Sequence, residues 1–242
     1  MTEKTHRDVS EKTSFLKCKT MSVVILLCVV LLVSALYNAL TPIYKNSQMV
    51  LAIRHNNVEK LRELIQQGAD ADATIATSDE QSFWHELYEC VIRRNESTKP
   101  KYYAIQMAIG LDRNLEPIPE HHLSTSIVSA LLNGGANPNV ADRYSVPIVV
   151  YIVVDDSISE DERVQCVHNL LDKGADINAE SRNERSLLYC AIANSDLRLC
   201  HLLADKGAKC QARHEDISAI SIAKHYECST TLIRLLQQYG YK

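Results

Sequence analysis

The sequence predicts an all-α solenoid of helix-turn-helix-finger repeats, preceded by one N-terminal transmembrane helix. Three observations carry this reading. Nearly the same loop is written twice, "DKGADINAE" at 172–180 and "DKGAKCQAR" at 205–213, and an internal period of that length marks a stacked repeat architecture. Apolar residues at helical spacing precede each loop. Finally, the twenty residues 21–40, "MSVVILLCVVLLVSALYNAL", contain no charged side chain.

In chain order, residues 1–20 form a polar tail with five Lys or Arg against three Asp or Glu, expected to be cytoplasmic and to lack structure. At about 1.5 Å per residue, a helix over 21–40 spans the hydrocarbon core of a bilayer, about 30 Å. The segment also fits a signal peptide cleaved after Val33-Ser34-Ala35, with Lys17 and Lys19 as its basic region. The run continues past Ala35 to Leu40, and the tail before it is long, which favours a permanent anchor. The ten residues before the segment hold Lys12, Lys17 and Lys19, and the ten after it hold Lys45. That bias puts the N-terminus in the cytoplasm and the repeats outside. Thr41-Pro42 is expected to break the helix.

The repeats follow over 46–242. Related loops run "QQGADADAT" (66–74) and "NGGANPNVA" (133–141), and the chain ends on a truncated copy, "QQYGYK". The aligned glycines are Gly68, Gly135, Gly174, Gly207 and Gly240, spaced 67, 39, 33 and 33 residues apart. Each follows an amphipathic stretch such as "NNVEKLRELIQQ" or "SDLRLCHLLADK", so each closes a helix in the left-handed conformation that glycine adopts without steric cost. A shorter apolar helix lies upstream of each: "QMVLAI", "YAIQMAI", "VPIVVYI", "SLLYCAI" and "SAISIAK". The expected repeats span about 46–74, 101–141, 142–180, 181–213 and 214–242, the last acting as a cap. Residues 75–100, with the amphipathic "FWHELYECVIRR", read as an extra helix inserted between the first two. Two further insertions, "LDRNLEPIPEHHLST" and "DDSISEDE", fall in the turn between the two helices of repeats two and three. The second reads as a solvated acidic loop or a docking site for a basic partner.

Helix, turn, helix, then Gly-Ala-Asp and a β-turn finger every 33 residues resembles the ankyrin repeat over roughly 46–242. The strongest match runs from Ser186 to Ala212, with Lys209-Cys210-Gln211 in place of the usual Asp-Val-Asn. Gly174–Ala179 matches directly. No copy has the usual Thr-Pro-Leu-His opening, and Pro147 alone retains its proline. The resemblance implies a surface of fingers and first helices that binds other proteins. Small anchored ankyrin proteins of this look occur in bacteria, some as immunity or stress-protection factors that neutralise a toxin by binding it. The side chains expected to bind are those at finger tips, where packing does not dictate identity: Asp142, Arg143 and Tyr144; Arg182, Asn183, Glu184 and Arg185; His214, Glu215 and Asp216. Trp84 either packs the extra helix onto repeat one or serves as a hot spot beside the membrane. Two rival readings are an exported soluble protein released by signal cleavage and a non-catalytic subunit of a membrane complex. The anchor lacks Gly-x-x-x-Gly and strongly polar residues, which weakens the second.

Chemistry finds little support. The net charge is −4 overall and −6 once the neutral span and the tail at +2 are set aside, a poor complement to a nucleic acid. Cys210, His214, His225 and Cys228 mimic zinc spacing, but the repeat frame separates the first pair from the second by about seven helical residues, roughly 10 Å. Glu120-His121-His122 reads as exposed loop. Cys166, Cys190 and Cys200 fall at apolar helix positions, where cysteine acts as a small hydrophobe. Equivalent helices of neighbouring repeats lie about 8–10 Å apart, too far for a disulfide, so most of the six cysteines after the anchor are expected to be free thiols. No phosphate loop, nucleophile elbow or HExxH motif is present. The sequence therefore predicts no enzyme, no cofactor and no small-molecule substrate, and a protein partner of unknown identity.

Overall fold

The computed structural model describes residues 2–75, 102–109, 123–142, 144–155, 157–213 and 215–242. The chain divides into two compact units, Met1–Tyr44 and Lys45–Lys242.

Helix α1 runs from Thr2 to Arg54. The polar tail, expected to lack structure, is therefore helical, and Pro42 does not end the helix but lies inside it. Proline removes the N–H that the carbonyl four residues back would receive. The neighbouring Thr41 hydroxyl donates to the Tyr37 carbonyl at 2.6 Å, one residue before the Asn38 carbonyl that the proline leaves without its helical N–H, and the helix continues through the site to Arg54. Leu26, Leu31, Leu32 and Leu36 are all more than half exposed. Among the described residues this helix is long and apolar enough to cross a membrane, with a mean hydropathy of 2.1.

In the second unit the described helices come in pairs. The buried Met49, Val50, Ala52 and Ile53 at the end of α1 precede α2 (Val58–Gln66). Then follow α3 (Ala104–Ala108) with α4 (Thr125–Asn133), α5 (Ile148–Val154) with α6 (Glu160–Asp172), α7 (Leu187–Ala193) with α8 (Leu197–Asp205), and α9 (Ala219–His225) with α10 (Thr230–Gln238). The second helices stack in the order α2, α4, α6, α8, α10, and α5, α7 and α9 stack alongside. Most starts carry a side-chain cap, as at Ser186 and Asp196, whose oxygens accept from Tyr189 and Leu199 N–H. Such a cap is worth about 1 kcal/mol. The ends are closed as the sequence predicts: Gly174 has φ +93° and Gly207 φ +78°. One buried cluster runs from Met49 to Leu236.

The recurring Gly-Ala-Asp-x-Asn has a structural cause. In each loop the first Asp or Asn closes its own turn: Asp70 accepts from Asp72 N–H, Asn137 from Asn139 and Asp176 from Asn178, at 2.9–3.0 Å. The second reaches the next repeat. Asp72 accepts from Asn137 N–H at 2.9 Å, Asn139 from Asp176 at 2.8 Å and Asn178 from Lys209 at 2.9 Å. Asn139 also donates to the Gly174 carbonyl at 2.8 Å. The motif thus joins repeat to repeat by side-chain relay.

Helices α2 and α4 pack directly on one another. A Cβ at Gly134 would lie 2.8 Å from Ile65 Cγ2 and 3.0 Å from Ala71 Cβ, so the contact is close. Strand β1 (Thr74–Ile75) pairs antiparallel with β2 (Tyr102–Tyr103), Thr74 opposite Tyr103. The long insertion read from the sequence as an extra helix therefore departs from the first finger and leaves the second-helix stack uninterrupted. Loop tips tolerate such additions because no packed backbone is displaced. Residues 76–101 themselves, with Trp84, lie outside the described residues, as does most of the insertion in repeat two.

The acidic run of repeat three is a loop only in its first part: Glu160, Asp161 and Glu162 already belong to α6. Ser159 caps α6, accepting from Glu162 N–H and donating to the Glu162 carboxylate at 2.7 Å. Glu160, Asp161 and Glu162 form the first turn, where negative charge meets the positive end of the helix dipole.

Candidate functional site

The fingers are tight turns built from their own side chains. In the third, Asp142 Oδ1 accepts from Tyr144 and Val146 N–H at 2.7 and 2.8 Å, and Oδ2 accepts from the Tyr151 hydroxyl at 2.5 Å. Ser145 takes φ +62°. In the fourth, Ser181 occupies the corresponding place, its hydroxyl accepting from Arg185 N–H at 3.2 Å, with Glu184 at φ +55°. In the fifth, β3 (Gln211–Ala212) pairs with β4 (Glu215–Asp216). Neighbouring fingers are bonded to one another: Arg213 N–H donates to the Glu184 carbonyl at 2.7 Å and Ser186 N–H to the Gln211 carbonyl at 3.0 Å.

Aromatic rings lie under guanidinium groups at the tip of the third finger and at the base of the fourth. Arg182 lies 4.2 Å over the Tyr144 ring and Arg185 4.8 Å over the Tyr189 ring. Tyr189 meets Tyr226 edge to face, with centroids 6.4 Å apart, and His225 stands edge-on to Tyr226 at 5.1 Å. Each cation–π stack is worth about 0.5–1 kcal/mol at an exposed site. Burial, then the hydrogen bond to Asp142, hold the Tyr151 phenol protonated far above the ordinary tyrosine range. Burial and the contact with Tyr226 push Tyr189 the same way.

The sequence-nominated residues divide accordingly. Tyr144 is 47% exposed, Arg182, Asn183 and Glu184 are exposed, and Arg185 is half-buried. Asp142, offered as a binding residue, has both carboxylate oxygens engaged inside the chain and shapes its finger. Glu215 and Asp216 form β4. Arg143, His214 and Trp84 lie outside the described residues. Sequence reasoning passed over Tyr151, Tyr189 and Tyr226 because it placed the site on the tips alone. The signal was present: Tyr151 and Tyr189 stand four and three residues after the first-helix N-caps Pro147 and Ser186.

Five cysteines of the repeat domain are described, all free and buried. Burial pushes the Cys166 and Cys210 thiols up to about 12 and raises Cys190 and Cys200 also, which suppresses the nucleophilic thiolate. Cys228 donates its thiol to the Ile192 carbonyl at 3.2 Å. Among the described residues no group of three His, Cys, Asp or Glu side chains is placed to hold a metal ion.

No family model matches the chain. Over 98 residues, 37% of its length, it is 35% identical to the human protein named ankyrin repeat and SOCS box protein 6, and the match spans 22% of that protein. The chain thus spans about a fifth of the curated relative it matches. This similarity, with the paired helices and glycine-closed loops, supports ankyrin repeats in the chain.

Proposed function

We propose that this chain is a non-catalytic, membrane-anchored module that captures a protein partner on the face formed by its third, fourth and fifth fingers. The observation that carries the reading is the pair of stacks, Arg182 on the exposed Tyr144 and Arg185 on Tyr189, whose ring is buried at the base of the finger. Tyrosine and arginine dominate the energetics of protein interfaces because each brings a large contact area together with polar anchors. Burial of the described thiols and the ankyrin-type similarity support a binding role over a catalytic one. The charge-free segment 21–40, inside α1, supplies the anchor.

Two outcomes are expected. Replacing Tyr144 and Arg182 together with Ala leaves thermal stability within about 1 kcal/mol, since both are exposed, and weakens partner capture by about 2 kcal/mol or more. Crosslinking in intact membranes, followed by quantitative recovery of the crosslinked species, measures it, and unchanged recovery moves the site off the fingers. Fractionation places the full-length chain in membranes, resistant to alkaline carbonate. A soluble species beginning near Leu36 establishes signal cleavage instead and removes the anchor.

A further inference from the structure

The stacked arginines also bear on what the partner presents, an inference that rests on the finger face being the binding surface. Arg182 and Arg185 stand in one finger, each with its guanidinium carbon over a ring, that of Tyr144 at 4.2 Å for one and that of Tyr189 at 4.8 Å for the other. Among the described residues, the arginines paired with carboxylates are Arg163 and Arg198; Arg182 and Arg185 are not. The neighbouring carboxylate of Asp142 is committed to Tyr144 N–H, Val146 N–H and the Tyr151 hydroxyl. Glu184 shares the turn, yet pairs with neither arginine.

Stacking uses the flat face of a guanidinium and leaves its five N–H donors pointing outward in the plane, where they match a carboxylate two bonds at a time. The tyrosines thus hold two guanidinium groups in place without taking a carboxylate's position, which lowers the side-chain entropy an arginine loses on pairing. We propose that this face takes an acidic segment of the partner protein, two of whose carboxylates are accepted side-on by Arg182 and Arg185, with the exposed ring of Tyr144 packing against the intervening chain. A nucleic acid also stacks on tyrosine and pairs with arginine. A continuous row of phosphates, however, meets the net −6 charge of residues 41–242 all along its length, whereas two carboxylates need reach only the two guanidinium groups of a finger whose charges, with Glu180 and Glu184, balance.

The test uses the full chain in detergent micelles and three fluorescein-labelled probes: octaglutamate, octaglutamine and octathymidylate, followed by anisotropy. Octaglutamate is expected to bind and octaglutamine not to. Arg182→Gln with Arg185→Gln weakens octaglutamate at least tenfold, and the corresponding Lys pair loses several-fold because it keeps charge but not the planar fork. Arg182→Gln alone, at an exposed position, gives an intermediate loss and guards against misfolding of the double variant. Failure of octaglutamate to bind, equal binding of octaglutamine, indifference to the Gln pair, or tighter binding of octathymidylate each overturns the proposal. Crosslinked partner capture in the same variants separates the two levels. Capture lost on Tyr144→Ala but kept in the Gln pair leaves a protein-binding face without acidic specificity; capture kept in both removes the face itself.

Discussion

Replacing Arg163 by Met is expected to lower the stability of the repeat domain by about 3–5 kcal/mol. Arg163 Nη1 pairs with Asp196 Oδ2 at 3.0 Å, and the two side chains are 9% and 3% exposed. Nη2 donates to the carbonyls of Asp155 at 2.7 Å and Ile158 at 3.2 Å, tying down the inserted turn before α6. On the other side Asp196 caps α8 through Leu199 N–H at 2.9 Å. One guanidinium therefore joins repeat three, its insertion and the start of the second helix of repeat four. Removing it strands a buried carboxylate, and desolvation makes that far costlier than losing an exposed pair. Adding Asp196→Asn to Arg163→Met is expected to recover much of the loss, because asparagine still caps the helix and no charge is left behind. Urea unfolding of the full chain in detergent measures both, and a loss under about 1 kcal/mol for Arg163→Met means the pair is solvated.

Cys200→Asp is expected to destabilise by several kcal/mol. Cys200 is fully buried on α8, between Leu199 and Leu203, which are also fully buried. Its thiol is held protonated by burial, so the site tolerates a small neutral group and rejects a carboxylate that lacks a partner. Cys200→Ala keeps a small apolar side chain and costs far less. Asp161→Ala is the control. Asp161 starts α6 and pairs with Arg198, the side chains being 77% and 57% exposed, and such a surface pair is worth about 0–1 kcal/mol. Thermal unfolding ranks the three variants. If Cys200→Asp melts with the parent, that face of α8 is open to water and the repeat register is wrong.

The repeat was legible wherever local chemistry writes it. Gly174 and Gly207 announce helix ends, Ser186 and Asp196 helix starts, and "LLYCAI" and "LCHLLA" the buried faces. Less legible were features set by contacts between distant segments. Pro42 reads as a helix breaker, yet α1 continues through it to Arg54. The acidic "SEDE" reads as a loop because the reciprocal bonds between Ser159 and Glu162 are not visible in a charge count. The Arg163–Asp196 pair links residues one full repeat apart, and each looks like an ordinary surface charge alone. The finger face was half readable: the tips declare themselves by exposure, but the first-helix tyrosines beneath them count as core until their rings are placed under Arg185 and beside Tyr226.

The side-chain relay between loops also gives the solenoid a direction. It runs from Asp72 through Asn139 to Asn178, which accepts from Lys209 N–H, and at Lys209 the turn-closing Asp or Asn of the earlier loops is replaced. The last described pair, α9 and α10, is joined to the loop before it by a different bond, the Tyr241 hydroxyl donating to the Ala208 carbonyl. A ligand gripping Tyr226 holds the repeat joined through Tyr241, while one gripping Tyr144 and Arg182 holds repeats joined through Asn139 and Asn178. A protein seated across all three fingers would bridge both kinds of joint and work as a clasp over them.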